Sequence, residues 1–174
     1  MAGFGVFSTD PSSCSPCNCK ENTLIDCYAD AKTLELTDSS WNGIQSYLPR
    51  WVNLANDGIK AIEPGAFEGM SRLEELVLKK NRISTIEPNT FEGLGKLWYL
   101  GLEKNKIQIV KSNAFLGLHN LEEIDLSKNR ITRIEDGAFA GLDRLQWLEL
   151  VGNPGVTCDD ARAAGLPESV YCQD

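Results

Sequence analysis

Five carboxylates and a few aromatic residues in the middle of the chain recur at spacings that would gather them on one surface. Trp51, Glu75, Tyr99, Glu123 and Trp147 succeed one another at intervals of 24 residues, and so do Asn53, Val77, Gly101, Asp125 and Glu149. A third row, Ala55, Lys79, Glu103, Ser127 and Val151, keeps the same interval, so five carboxylates across the three rows face a single lysine. Carboxylates held side by side repel one another, and the repulsion is relieved when a cationic group or a hydroxyl-rich ligand arrives and charge-assisted hydrogen bonds form. Tryptophan and tyrosine beside them would stack on or pack against the same ligand, as aromatics do at binding hot spots. The ligand-binding residues expected from this pattern are Glu75, Tyr99, Glu103, Glu123, Asp125, Trp147 and Glu149. Acid–base catalysis is the other chemistry open to paired carboxylates. Asp125 and Glu149, in the same slot of adjacent units, would stand at about the 5 Å that suits a retaining glycosidase. An open surface offers no cleft to exclude water, however, and the chain carries no nucleophile elbow, phosphate-cradling glycine loop or zinc motif. No catalytic residue and no cofactor is therefore expected.

What positions these residues is the repeat itself. Leucine returns at Leu73, Leu97, Leu121 and Leu145, phenylalanine at Phe67, Phe91, Phe115 and Phe139, and asparagine at Asn81, Asn105, Asn129 and Asn153. A fixed period of this length marks a solenoid, in which each unit buries its apolar side only by stacking on its neighbours. Within the unit Leu73 to Lys96, Leu76 and Leu78 alternate with Val77, which is the period of two that a short, half-buried strand needs. Asn81 follows where the chain turns away, and its amide can hydrogen-bond neighbouring coils with both ends. Ile83, Ile86, Phe91 and Leu94 fill the interior from the returning side, with the phenylalanines as a stacked spine. Full units start at 49, 73, 97 and 121 and a last strand at 145, giving five stacked parallel strands. In the first unit Asp57 holds the asparagine slot.

The pattern L-x-x-L-x-L-x-x-N-x-I-x-x-I-x-x-x-x-F-x-x-L-x-x resembles the leucine-rich repeat of extracellular receptors. That resemblance implies an α/β-type solenoid with a short parallel β-sheet on the concave face and mostly loop and short helical turns on the convex face. The outward rows would then line the concave surface.

A solenoid leaves an apolar edge at each end, so caps are required. Cys14, Cys17, Cys19 and Cys27 stand just before the first unit, and Cys158 and Cys172 just after the last. An even number of cysteines confined to the two caps reads as a disulfide framework formed in an oxidising compartment. Zinc is the rival for the C-x2-C spacing, but the lone His119 lies far off in a repeat turn. Four amino-terminal cysteines leave three pairings open; the resemblance to extracellular leucine-rich repeat caps implies Cys14 with Cys19 and Cys17 with Cys27. The two late cysteines most simply pair with each other. The organisation expected is a tail and cysteine-rich cap over 1–48, repeats over 49–153 and a short carboxyl-terminal cap over 154–174.

A net charge of −8 makes nucleic acid an unsuitable partner for the chain as a whole. No stretch approaches the roughly 18 to 20 apolar residues needed to cross a bilayer, so no membrane insertion is expected, and Met1 to Asp10 does not look like an intact secretion signal. The lysine row Lys80, Lys104 and Lys128 reads as a solvated rim that partly offsets the neighbouring acids. In its size and capped layout the chain from Cys14 to Cys172 is similar to variable lymphocyte receptors of jawless vertebrates. That resemblance implies a secreted protein or cell-surface ectodomain that recognises microbial or other foreign surface antigens, protein or glycan, without catalysis; a monomer is expected, since acidic faces should not self-associate. The alternative is an ectodomain binding endogenous adhesion or signalling ligands; a homotypic module would have to use the side where Arg82, Lys106, Arg130 and Arg133 gather. Two departures from that receptor type stand out. Asn153-Pro154-Gly155 and only two late cysteines replace its longer carboxyl-terminal cap, and Tyr28 to Leu48 is longer than its usual link.

Overall fold

The structure, a computed structural model, describes residues 49–174 throughout and, before them, only the backbone of three short strands. In chain order the strands are β1 (Cys17–Lys20), β2 (Leu24–Cys27), β3 (Glu35–Leu36), β4 (Trp51–Asn53), β5 (Ala61–Ile62), β6 (Glu75–Val77), β7 (Thr85–Ile86), β8 (Tyr99–Gly101), β9 (Ile109–Val110), β10 (Glu123–Asp125), β11 (Arg133–Ile134) and β12 (Trp147–Glu149). Helix α1 (Cys158–Ala163) and strand β13 (Tyr171–Gln173) complete the chain.

The alternation read in each repeat is what the strands show. Val52, Leu76, Leu100, Ile124 and Leu148 are fully buried at the middle position, while their flanking residues are partly or fully exposed except for Gly101. Strands β4, β6, β8, β10 and β12 pair in parallel, each residue opposite the one 24 later. This sheet is longer than the five strands expected: its order is β1-β2-β4-β6-β8-β10-β12-β13. Both caps add to it. Leu24 lies opposite Trp51, an interval of 27 that no 24-residue count reaches, whereas Tyr171 lies opposite Trp147 on the repeat's own beat. That last strand escaped the sequence pattern because Ser169 occupies the leucine slot.

The opposite side also carries more regular structure than loops and turns. β7, β9 and β11 form a narrow parallel sheet and β3 pairs with β5. Once the coils are in register, backbone groups just before the phenylalanine turn face their equivalents and pair, which turn propensity alone does not foretell. The expected helical turns follow these strands: Ala66 N–H donates to Glu63 C=O at 3.0 Å and Met70 N–H to Phe67 C=O at 3.1 Å, a pattern repeated in the later coils. Among the described residues the only regular helix is α1.

Two internal ladders lock the coils together. Asn81, Asn105, Asn129 and Asn153 each accept a hydrogen bond at Oδ1 from the backbone N–H of the preceding coil: Ile59, Ile83, Ile107 and Ile131, all at 3.0–3.1 Å. Their Nδ2 groups donate to strand-end carbonyls of their own coil and of the preceding one, so that Leu78 C=O receives Asn81 at 2.8 Å and Asn105 at 3.0 Å. Behind them the rings of Phe67, Phe91, Phe115 and Phe139 stack with centroids 6.1, 6.2 and 5.7 Å apart, within the range where aromatic pairs attract.

One turn position is strained. Asn56, Lys80, Lys104, Lys128 and Gly152, the eighth residue of each unit, all adopt positive φ between 55° and 82°. Asparagine and glycine suit this left-handed conformation; a lysine there costs on the order of 1 kcal/mol.

At the carboxyl end Thr157 caps α1, its hydroxyl accepting from Asp160 N–H while the Asp160 carboxylate accepts from Thr157 N–H at 2.8 Å. Ala161, Leu166 and Val170 cover the last coil, and Cys158 and Cys172 are joined by a disulfide, as their isolation suggested. At the other end Cys17 sits opposite Cys27 in the antiparallel register of β1 and β2. The expected Cys14–Cys19 and Cys17–Cys27 bonds, and the long link Tyr28 to Leu48 apart from the backbone of β3, lie outside the described residues. No helix among the described residues is long and apolar enough to cross a membrane.

Candidate ligand-binding surface

The parallel register brings the outward rows together as counted from the sequence. Trp51, Glu75, Tyr99, Glu123 and Trp147 lie side by side on successive strands, and Asn53, Val77, Gly101, Asp125 and Glu149 form the adjoining row. Neighbouring strands stand about 4.8 Å apart, so each side chain is in reach of the next. Tyr171 and Gln173 extend the rows by one strand. Both were missed, although the 24-residue interval from Trp147 and Glu149 points to them.

The carboxylates do not sit in equivalent surroundings. Burial raises the pKa of Glu123, and the charges of Asp125 and Glu149 push it further in the same direction. Burial likewise raises Glu103, a hydrogen bond from its own backbone N–H opposes the rise, Asp125 adds to it, and Lys79 and Lys104 offset part of it. The Glu103 Oε2 atom is shielded from solvent and has no hydrogen-bond donor. By contrast one Asp125 oxygen is occupied, accepting from Ser127 N–H at 2.8 Å, and Glu149 Oε2 accepts from the Trp147 indole at 3.3 Å. Glu75 lies in the first row, between Trp51 and Tyr99.

Tyr99 is held down rather than extended. Gly101 leaves room for its ring: a Cβ there would come within 3.0 Å of the phenol oxygen and 3.1 Å of Cε1, with Glu103 Oε2 at 3.3 Å. The phenol thus covers the glycine beside Glu103, and burial, reinforced by Glu103, Asp125, Glu123 and Glu75, pushes its pKa up to about 12. A phenol kept protonated next to a carboxylate is a fixed donor and acceptor for a ligand. Trp147 and Tyr171 instead form an exposed stacked pair with centroids 4.3 Å apart, 39% and 54% exposed. Together these groups make an open, negatively charged sheet surface with an aromatic platform at its carboxyl-terminal end. Among the described residues no three or more His, Cys, Asp or Glu side chains converge as a metal site.

This architecture is a solenoid of parallel-strand repeats, and comparison with known proteins agrees. Residues 50–107 and 100–154 match the family Leucine rich repeat, and the chain belongs to it. A chain from the crystal structure of a TLR13–ssRNA13 complex is similar to it, with a TM-score of 0.60 and 36% identity over 65% of this chain. The match spans 16% of that longer chain. No curated protein matches the sequence.

Proposed function

We propose that the protein is a non-catalytic extracellular recognition module whose concave sheet binds cationic or hydroxyl-rich surfaces of microbial or other foreign antigens, protein or glycan, as variable lymphocyte receptors do. The observation that carries this is the Glu103 carboxylate oxygen, buried beside Asp125 without a donor. A lysine, arginine or sugar hydroxyl from a ligand would supply the missing hydrogen bond and offset the repulsion from Asp125 that adds to burial in raising Glu103 and Glu123. Tyr99 would offer its phenol at the same place, and Trp147 with Tyr171 a face for packing. Glu75, Asp125 and Glu149 extend the charge along the strands. The Cys158–Cys172 disulfide of the carboxyl-terminal cap fits an oxidising, extracellular setting. Nucleic acid is a poor occupant of this face, because Lys79 is the only cation in its three rows.

The test is a panel of microbial cells, basic proteins and neutral glycans presented to the intact chain and to the Glu103→Gln and Asp125→Asn/Glu149→Gln variants. Binding should weaken as salt rises and fall about tenfold or more in the variants, a loss of about 1.4 kcal/mol or more. Unchanged affinity with intact folding would remove the acidic rows from recognition.

A further inference from the structure

Seven of the chain's 17 basic residues gather in one part of the repeat. The segments 80–86, 104–110 and 128–134, equivalent stretches of three consecutive coils, contain Lys80, Arg82, Lys104, Lys106, Lys128, Arg130 and Arg133 and no carboxylate, in a chain with 25 acidic residues against 17 basic ones. The first six flank the buried asparagine ladder as two parallel rows of three, all exposed, on the edge where the chain leaves the concave sheet. Their spacing is fixed by the backbone. Lys80, Lys104 and Lys128 donate N–H to the following coil at 2.7–2.9 Å, and Arg82, Lys106 and Arg130 to the preceding one at 2.7–2.9 Å. None of the six side chains makes an ion pair with a described residue; Arg133 alone does, with Glu135.

The lysine row is not what the backbone asks for. Its three residues occupy the left-handed position that asparagine fills in the coil before and glycine in the coil after. Both of those residue types accept that conformation with less strain than lysine. The strip also ends there: Asn56 and Gly58 on one side and Gly152 and Pro154 on the other carry no charge.

We infer that this edge is a docking strip for a sulfated glycan chain, separate from the concave surface. A linear polyanion laid across the coils would meet a cation pair at each step of about 4.8 Å, with Arg82 and Arg130 able to grip a sulfate with two N–H groups each. The overall charge of −8 does not forbid this, since at physiological salt charges beyond about 8 Å are largely screened and the local strip dominates. Single-stranded nucleic acid fits less well, because it is held by bases stacked on aromatics and the strip has none: among the described residues the exposed large apolar ones are Trp98, Leu116, Trp147 and Tyr171.

The probe is a short, fully sulfated heparin oligosaccharide, titrated against the whole protein by calorimetry over a salt series. Its chemically desulfated counterpart and a charge-matched single-stranded RNA serve as comparisons. We expect binding of the sulfated chain only, weakening steadily with salt. Lys80→Asn/Lys104→Asn/Lys128→Asn should lower the affinity about tenfold while the melting temperature holds or rises, because asparagine suits the backbone. Arg82→Gln/Lys106→Gln/Arg130→Gln should lower it as much or more, and Glu123→Gln, whose charged neighbours are Asp125 and Glu149 rather than the strip, should leave it unchanged. No binding at low salt, equal binding of RNA, or a triple lysine variant that binds like the parent would each overturn the inference. So would light scattering that shows salt-sensitive self-association abolished by the same lysine variant, which would assign the strip to a second copy's acidic sheet. Failure here leaves the concave-face proposal untouched, since that rests on Glu103 and Asp125.

Discussion

Along each repeat strand the inward residue hardly varies and the outward ones hardly repeat. Val52, Leu76, Leu100, Ile124 and Leu148 hold one buried slot, whereas Trp51, Glu75, Tyr99, Glu123 and Trp147 hold the slot before it. The difference shows where the energy of the fold resides. Inward groups are tied to both neighbouring coils by close packing and by amide hydrogen bonds, so one substitution disturbs three units. Outward groups are bounded by solvent, and their types are free to serve a ligand.

The sharpest way to break this comparison is in the phenylalanine spine. Phe115→Ala removes a fully buried ring that stacks on Phe91 and Phe139, and should cost about 3–5 kcal/mol in chemical denaturation. A cost below that of an outward substitution would show that the inner side does not carry the stability. Asn105→Ala should come next. Leu78 C=O and Leu102 C=O would each keep a second asparagine donor, from Asn81 and Asn129, but the Ile83 N–H would lose its acceptor. One buried donor left unsatisfied predicts a loss of about 2 kcal/mol, with accelerated hydrogen exchange at Ile83 as the local signature.

The smallest effect belongs to the outer side and has the opposite sign. Glu123 has a folded-state pKa raised by burial and by Asp125 and Glu149. Its stabilising share is therefore fully present below the unfolded carboxylate pKa and is lost as pH rises through the raised value. Asp160 behaves in the reverse sense: the Thr157 hydroxyl and backbone hold its pKa down, so its share is present above the unfolded value and lost as pH falls through the lowered one. At neutral pH Glu123→Gln should thus stabilise by roughly 0.5 kcal/mol or less, the range for like charges on adjacent strands. The gain should vanish on acidification. Thermal melts of parent and variant at neutral and mildly acidic pH check this, and a destabilised variant at neutral pH would contradict the electrostatic account of the surface.

The inner side was also the legible one. Leucine, phenylalanine and asparagine at a fixed interval specify a stacked fold, because each of those types satisfies one repeated environment. The outward rows could be written down because strand alternation leaves no freedom once the inward residues are known. Less was visible where the repeat is imperfect. Tyr171 and Gln173 continue the concave rows behind a serine in the leucine slot, and Leu24 joins the sheet at an interval of its own. Gly101 gave no sign that it seats the Tyr99 ring, since its importance lies in what a Cβ would strike.

By itself, then, the sequence determined the period, the buried ladders, the late disulfide and which side chains share a row, all consequences of local alternation repeated at constant spacing. The tertiary structure decided what depends on the distance between coils. It left the Glu103 oxygen without a donor, folded Tyr99 over a glycine, paired Trp147 with Tyr171, and set three lysines in a left-handed turn along an edge free of acids. Composition registers only a net charge, and it takes the stacking of equivalent positions to turn that sum into an acidic sheet and a basic border.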